Sequence, residues 1–191
     1  MAKGKIVIIS GPSGSGKTTL HKMLLNSPEL KGKLVKSISV TTRPMRDGEK
    51  HGKDYLFVTL KKFQYKIKAG HFLEWQKVFD NYYGTPKKNV RELLKAGKHV
   101  LLCIDVKGAR VVHRIFPDAI SIFIKTPSVA ILEKRLEKRA QDTHDSKELR
   151  LKIAQQELAQ AKYYDHRIVN DRLETAYRQL EDIVGRAILP R

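Results

Sequence analysis

Eight consecutive residues near the start of the chain, Gly11-Pro12-Ser13-Gly14-Ser15-Gly16-Lys17-Thr18, are of types and spacing suited to holding an anion. They fit the pattern G-x-x-x-x-G-K-[ST]. Its glycines turn successive backbone N–H groups inward, and the positive end of the following helix adds to that field. Such a loop places Lys17 on the β and γ phosphates of a nucleoside triphosphate and Thr18 on the accompanying Mg²⁺. A plain strand-to-helix turn is the alternative, but it has no need of Lys17 and Thr18 in succession. The loop says that phosphate is held, and leaves the acceptor open.

A second group of candidates is Ser39-Val40-Thr41-Thr42-Arg43-Pro44-Met45-Arg46-Asp47-Gly48-Glu49, followed by Gly52-Lys53-Asp54-Tyr55. Pro44 pushes Arg43 toward an extended backbone, and two guanidinium forks three residues apart suit one phosphate. Tyr55, and Tyr83 within Asn81-Tyr82-Tyr83-Gly84-Thr85, offer hydroxyl donors. Taken alone, these residues equally describe an arginine pair in a surface turn.

The elements that must position these groups are legible in outline. Lys5 to Ser10 is a β-branched run bounded by Gly4 and Gly11, which reads as a strand buried on both faces, and Thr18 to Leu25 returns apolar residues at helical spacing. Further strands are expected at Leu34 to Val40, His99 to Ile104, Ala119 to Ile124 and Arg167 to Val169, with helices at Pro86 to Ala96 and Val129 to Arg139. This alternation predicts an α/β fold with a parallel sheet flanked by helices. Between residues 43 and 85 the texture changes to short aromatic runs, Asp54 to Thr59 and Phe72 to Phe79, around a Lys-rich helical stretch from Lys61 to Ala69. An inserted α+β lobe is the expectation. No glycine or proline interrupts Ser128 to Val184, so helices should fill the charged span Arg135 to Tyr163, and a last helix from about Arg172 to Ile188 should close against the sheet.

Composition narrows the class. A chain of 191 residues with 41% hydrophobic side chains suits one globular domain, and no linker, repeat or low-complexity tract divides it. The apolar run Ile6 to Ile9 is far too short to span a membrane, and the lone Cys103 forms no internal disulfide, so a cytoplasmic protein without membrane partner is expected. The net charge of +18 invites a nucleic-acid reading, yet bases and acids mingle, as in Lys134, Arg135, Glu137, Lys138 and Arg139. That mingling, and the want of an aromatic RNA-binding signature, argue against a nucleic-acid partner. The seven histidines show no metal-ligand spacing. Oligomeric state leaves no mark in the sequence.

The segments SVTTRPMRDGE, GKDY, FLEW and NYYGT, in that order after GPSGSGKT, resemble the guanylate kinase family. The resemblance runs on through Ile104-Asp105-Val106-Lys107-Gly108, Arg135 and Arg139, Arg150, and Val169-Asn170-Asp171, and so spans nearly the whole chain. It implies a P-loop nucleoside monophosphate kinase fold with core segments 1–37, 86–130 and 164–191, a GMP-binding lobe at about 38–85 and a helical lid at about 131–163. It implies transfer from ATP to GMP, with dGMP as a further acceptor, Mg²⁺ as cofactor, and a place in purine nucleotide metabolism and GMP salvage. By the same resemblance Glu74 reads guanine with Ser39 and Thr85 beside it, and Arg43, Arg46, Tyr55 and Tyr83 hold the GMP phosphate. Lys17, Arg43, Arg135, Arg139 and Arg150 converge on the transferring group, and Asn170 joins the ATP side. Asp105 serves either a magnesium-bound water or the guanine side, a buried structural aspartate being the alternative. The proposed use of Glu74 is sound chemically: guanine presents N1–H and N2–H together, which one carboxylate accepts as a pair, whereas adenine N1 is an acceptor. Without these neighbours Glu74 would read as an ordinary outward strand residue.

The sequence departs from the family's pattern at three places. Cys103 stands where members usually carry Asp or Glu, Ala140 where glycine usually follows the arginine, and Arg172 where an acid is common. An active enzyme with altered rate constants is expected. The competing classes are a catalytically silent guanylate-kinase-like binding module, a nucleic-acid-binding P-loop protein, and a kinase acting on another nucleoside monophosphate.

Overall fold

The computed structural model describes residues 4–137 and 144–189. In chain order the elements are β1 (Ile6–Ser10), α1 (Lys17–Leu25), β2 (Leu34–Lys36), β3 (Val40–Thr41), β4 (Leu56–Phe57), α2 (Leu60–Lys68), β5 (Phe72–Val78) and β6 (Asn81–Pro86). They continue with α3 (Lys87–Lys95), β7 (His99–Cys103), α4 (Val106–Ile115), β8 (Ile120–Lys125), α5 (Val129–Glu137), α6 (His144–Ala159), a 3-10 turn, β9 (His166–Val169) and α7 (Leu173–Ile188). Among the described residues no helix is long and apolar enough to cross a membrane.

Five strands form an all-parallel sheet in the order β2-β7-β1-β8-β9. Strand alternation sends β1 side chains to both faces, which explains its unbroken apolar run. Val7 and Ile9 pack with Leu20 and Leu24 of α1 and with Ala176, Leu180, Val184 and Ile188 of α7. Ile6 and Ile8 pack on the other face with Val90 and Leu94 of α3 and Ala109 and Val112 of α4. The four buried residues of α7 recur every fourth position, so one stripe of that helix seals the sheet. Because the strands are parallel, the turns after β1 and β7 open at the same sheet edge, where Ser10 Oγ donates to the Ile104 carbonyl at 2.8 Å.

A second sheet of four strands, β4-β3-β6-β5, packs against α2 through Phe63. The run Leu34 to Val40, expected as one strand, is divided: Leu34–Lys36 pairs with β7, and Val40–Thr41 joins the second sheet. Ser37 N still donates to Leu101 O while Ser39 O accepts from Leu56 N, so the chain changes sheets within three residues. Phe63 of α2 stacks on Phe72 with ring centroids 4.6 Å apart and, with Val40 at its side, forms a small separate core. In the pairing of β5 with β6 the register shifts between Phe72 and Glu74, a bulge that places two residues of β5 against one of β6.

Candidate active site

The phosphate loop sits at the end of the central strand. Gly11, Gly14 and Gly16 all have positive φ, and at Gly16 (φ 90) a Cβ would also run into the Asn170 side chain. Only glycine suits that point. Lys17 Nζ donates to the Gly11 carbonyl and, at 2.9 Å, to the Pro12 carbonyl, so the lysine lies folded over its own loop. Ser15 Oγ is buried without a protein partner, a polar atom inside the cradle that a phosphate oxygen would satisfy. Behind the loop, buried Asn170 donates from Nδ2 to the Ser15 carbonyl at 2.8 Å, and Arg135 donates to the Asn170 carbonyl at 3.1 Å. Asn170 and Arg135 thus brace the loop in series.

A cleft of about 710 Å³ runs from this loop to the second sheet, lined by Thr18 at one side and by Arg43, Arg46, Tyr55 and Tyr83 at the other. Arg43 is fixed by a forked pair to Glu49, at 2.7 and 2.9 Å, and lies over the rings of Tyr55 and Phe57. Glu49 also accepts from the Arg46 N–H at 2.9 Å; burial opposes its charge, but these bonds prevail and hold the carboxyl below its usual range. Burial pushes the Tyr55 hydroxyl up to about 12, so it stays a donor. Ser39, Tyr55, Tyr83 and Cys103 are shared with an adjoining cavity of about 70 Å³ that ends on Glu74 and Asp105.

Glu74 is 6% exposed, and its Oε1 accepts from Thr85 Oγ1 at 2.5 Å. Gly108, in the first turn of α4, leaves room for the carboxylate: a Cβ there would stand 2.5 Å from Glu74 Oε2. Burial first, and then the nearby Asp105 charge, push the Glu74 carboxyl up to about 7 against the pull of Thr85. Asp105 caps α4 by accepting from Gly108 N at 2.7 Å; burial nevertheless raises it, and Lys107 and Lys17 moderate the rise. The result is a small pocket with two carboxylates, Glu74 and Asp105, at its end, opening on a cleft lined by Lys36, Arg43 and Arg46 and by Thr18 of the phosphate loop. A purine with paired N–H donors and a phosphate tail matches that polarity.

The family model for guanylate kinase matches residues 3–187. A guanylate kinase of Carboxydothermus hydrogenoformans is 44% identical over 185 residues, covering 96% of this chain and 89% of its own. The chain belongs to the guanylate kinase family. A guanylate kinase of Coxiella burnetii is likewise 44% identical, over 100% of this chain and 91% of the relative. Among solved structures, the crystal structure of guanylate kinase from Anaplasma phagocytophilum superposes with a TM-score of 0.81 at 34% identity, over 99% of this chain and 88% of that one.

Of the residues singled out from the sequence, the structure gathers Thr18, Ser39, Arg43, Arg46, Tyr55, Glu74, Tyr83 and Asp105 around the two connected cavities, and Thr85 bonds Glu74 from the next strand. Arg150, on α6, lies over the ring of Phe79 at 5.4 Å, at the tip of the β5–β6 hairpin. Arg139 and Ala140 lie outside the described residues. Asn170 faces the back of the loop, where its link to Ser15 is a positioning contact.

Three neighbours were not singled out. Glu49 holds Arg43, and the R-x-x-R-x-x-E spacing of a local clamp was the available signal. Lys36 donates to the Asp54 carbonyl at 2.7 Å, lies over the Tyr55 ring and lines the cleft, while burial lowers it. Glu157 of α6 lies near enough to Lys17, Asp105 and Lys107 to feel their charges, and burial pushes it up to about 7. A lone glutamate on a charged helix gives no sequence signal. His21 is buried at the cleft wall, Nε2 unpartnered, and is held near 4 by burial and then by Lys36 and Lys22, so it stays neutral. Burial also pushes the Cys103 thiol up, against Lys17 and Lys36, so the residue in the acid's usual place adds no charge near neutrality.

Proposed function

We propose that this chain transfers the terminal phosphoryl group of ATP to GMP, giving ADP and GDP, within purine nucleotide metabolism and GMP salvage in the cytoplasm. The single observation that carries the reading is the connected pair of cavities, lined by the Glu74 carboxylate at one end and by Thr18 of the phosphate loop at the other. Glu74 accepts the guanine N1–H and N2–H together, with Ser39 and Thr85 beside it. Arg43, Arg46, Tyr55 and Tyr83 grip the GMP phosphate. These contacts address base and phosphate, so dGMP is a second acceptor.

An oxygen of the GMP phosphate attacks the γ phosphorus of ATP, the bond from that phosphorus to the β–γ bridging oxygen breaks, and its electron pair leaves with ADP. The attacking oxygen is already ionised, so no general base is required. Alignment, charge neutralisation and water exclusion are what the protein contributes. The loop N–H groups and Lys17 hold the donor phosphates, and Arg135, Arg139 and Arg150 answer the charge that spreads over the moving group. The Thr18 hydroxyl, which lines the cleft, is a hard oxygen donor that would hold Mg²⁺, and Asp105, in the inner cavity, would serve either a water on that ion or the guanine side. Bound with ATP, such an ion would supply neutralisation of the donor phosphates' charge.

The test is turnover of GMP, dGMP, AMP, CMP, UMP and dTMP with ATP and Mg²⁺, followed as ADP formation. GMP and dGMP should react, and Glu74→Ala should lose GMP by two powers of ten or more in kcat/KM, on the order of a lost charge-assisted pair. Lys17→Ala should abolish transfer while melting like the parent. Equal use of AMP and GMP would remove the role given to Glu74, and no turnover with any acceptor would favour the binding module.

A further inference from the structure

The net charge of +18 is not spread evenly. Helix α2 carries four lysines and no acid in nine residues, and α3 carries three lysines and an arginine against the single acid Glu92. That acid is already engaged, 3.8 Å from Lys88. These helices border a groove of about 570 Å³, rimmed by Lys66, Lys87, Lys88, Arg91 and Lys95 and floored by apolar Leu56, Phe72 and Pro86. It shares no lining residue with the two cavities of the active site. At one end His71 meets Tyr65 edge to face at 6.2 Å, and Tyr65 is 66% exposed.

A rim of fixed cations over an apolar floor, with a solvent-facing aromatic ring at the end, matches a strand whose phosphates and bases point to opposite sides. Free phosphate would use the rim but not the floor, and the stacked, paired bases of a duplex offer no open ring to an apolar floor. Cellular DNA is largely paired, so the polyanion of this kind that meets the groove is RNA.

We propose that the groove between α2 and α3 docks single-stranded RNA, with phosphates on the Lys66, Lys88, Arg91 and Lys95 rim and a base stacked on Tyr65. Binding is independent of sequence and separate from phosphoryl transfer. On this face bases outnumber acids, with Glu92 the one acid beside five cationic lining residues.

The full-length protein would be titrated into a fluorescein-labelled, unstructured 12-nucleotide RNA, and anisotropy followed from 50 to 200 mM salt. Binding should weaken with salt, the slope of log K against log salt being about −0.7 for each phosphate held. The variant K88Q/R91Q/K95Q should flatten that slope by about two, while K31Q/K33Q/R114Q, with the same loss of net charge elsewhere, should leave it in place. Tyr65→Ala should cost about tenfold in affinity with the slope unchanged. All three should melt with the parent and phosphorylate GMP at its rate. Absence of RNA binding at 50 mM salt, an equal loss in the K31Q/K33Q/R114Q control, or binding of poly-glutamate or anionic vesicles in place of RNA would each overturn the proposal.

Discussion

At Glu74 the burial that makes a carboxylate selective also makes it a reluctant anion. With its carboxyl pushed up to about 7, the free enzyme holds much of it protonated at neutral pH, a form that cannot accept both guanine donors. We expect kcat/KM for GMP to climb nearly tenfold per pH unit below about 7 and to flatten above, because this ratio reports the free enzyme. Glu74→Gln should lose that limb, leaving only ionisation of the GMP phosphate itself. Thr85→Val should move the limb upward, since the Thr85 hydroxyl favours the anion. Stability follows the opposite sense. The unfolded carboxyl titrates near 4.5 and the folded one at about 7, so stability present below 4.5 is lost as pH rises through 7, on the order of 3 kcal/mol. Glu74→Gln should therefore raise the melting temperature of the ligand-free protein at pH 8 while leaving it nearly unchanged at pH 4. The phosphate loop was legible in the sequence because its chemistry fixes residue type at fixed spacing, whereas Glu74 stood out only through the family resemblance of the segments around it. Lys36 and Glu157 were not legible, for each matters only through what the folded chain brings beside it.

Among elements, the turn from Arg43 to Glu49 works as a clamp that carries its own counter-charge. Glu49 uses both oxygens on Arg43 and shares one with the Arg46 N–H, so the guanidinium is oriented before any phosphate arrives. Glu49→Ala should raise KM for GMP about tenfold with a smaller change in kcat, the signature of lost orientation in a ground-state contact. The phosphate loop is braced in the same manner from Asn170, and Gly16→Ala tests that element. It combines left-handed backbone strain, on the order of 1–2 kcal/mol, with collision against the Asn170 amide, and should remove ATP binding measured by calorimetry. The strands of the central sheet were readable from their β-branched runs. The division of Leu34 to Val40 between two sheets was not, because Leu34-Val35-Lys36-Ser37-Ile38-Ser39-Val40 contains no glycine or proline to mark where hydrogen bonding changes partner.

Across the whole molecule, two apolar layers cover the parallel sheet while the residues lining the two cavities hang from its carboxyl edge and from a separate small sheet. Helix α6 reaches the hairpin of that small sheet through Arg150 over Phe79. Phe79→Ala should leave the melting temperature within a degree or two and lower kcat several-fold, because a surface ring is lost and with it one link between the two sides of the cleft. The bulge in β5 has a wider consequence. Strict alternation would put Phe72 on the same side as Glu74, Gln76 and Val78, yet Phe72 turns outward to stack on Phe63 while the other three line the inner cavity. One extra residue of backbone thus ties the Glu74 carboxylate to a buried aromatic stack on the opposite face of its sheet. Choice of purine is in this sense kept partly in a count of peptide units, and loosening Phe63, which touches no substrate, should blur the preference for GMP over AMP before it slows the chemistry.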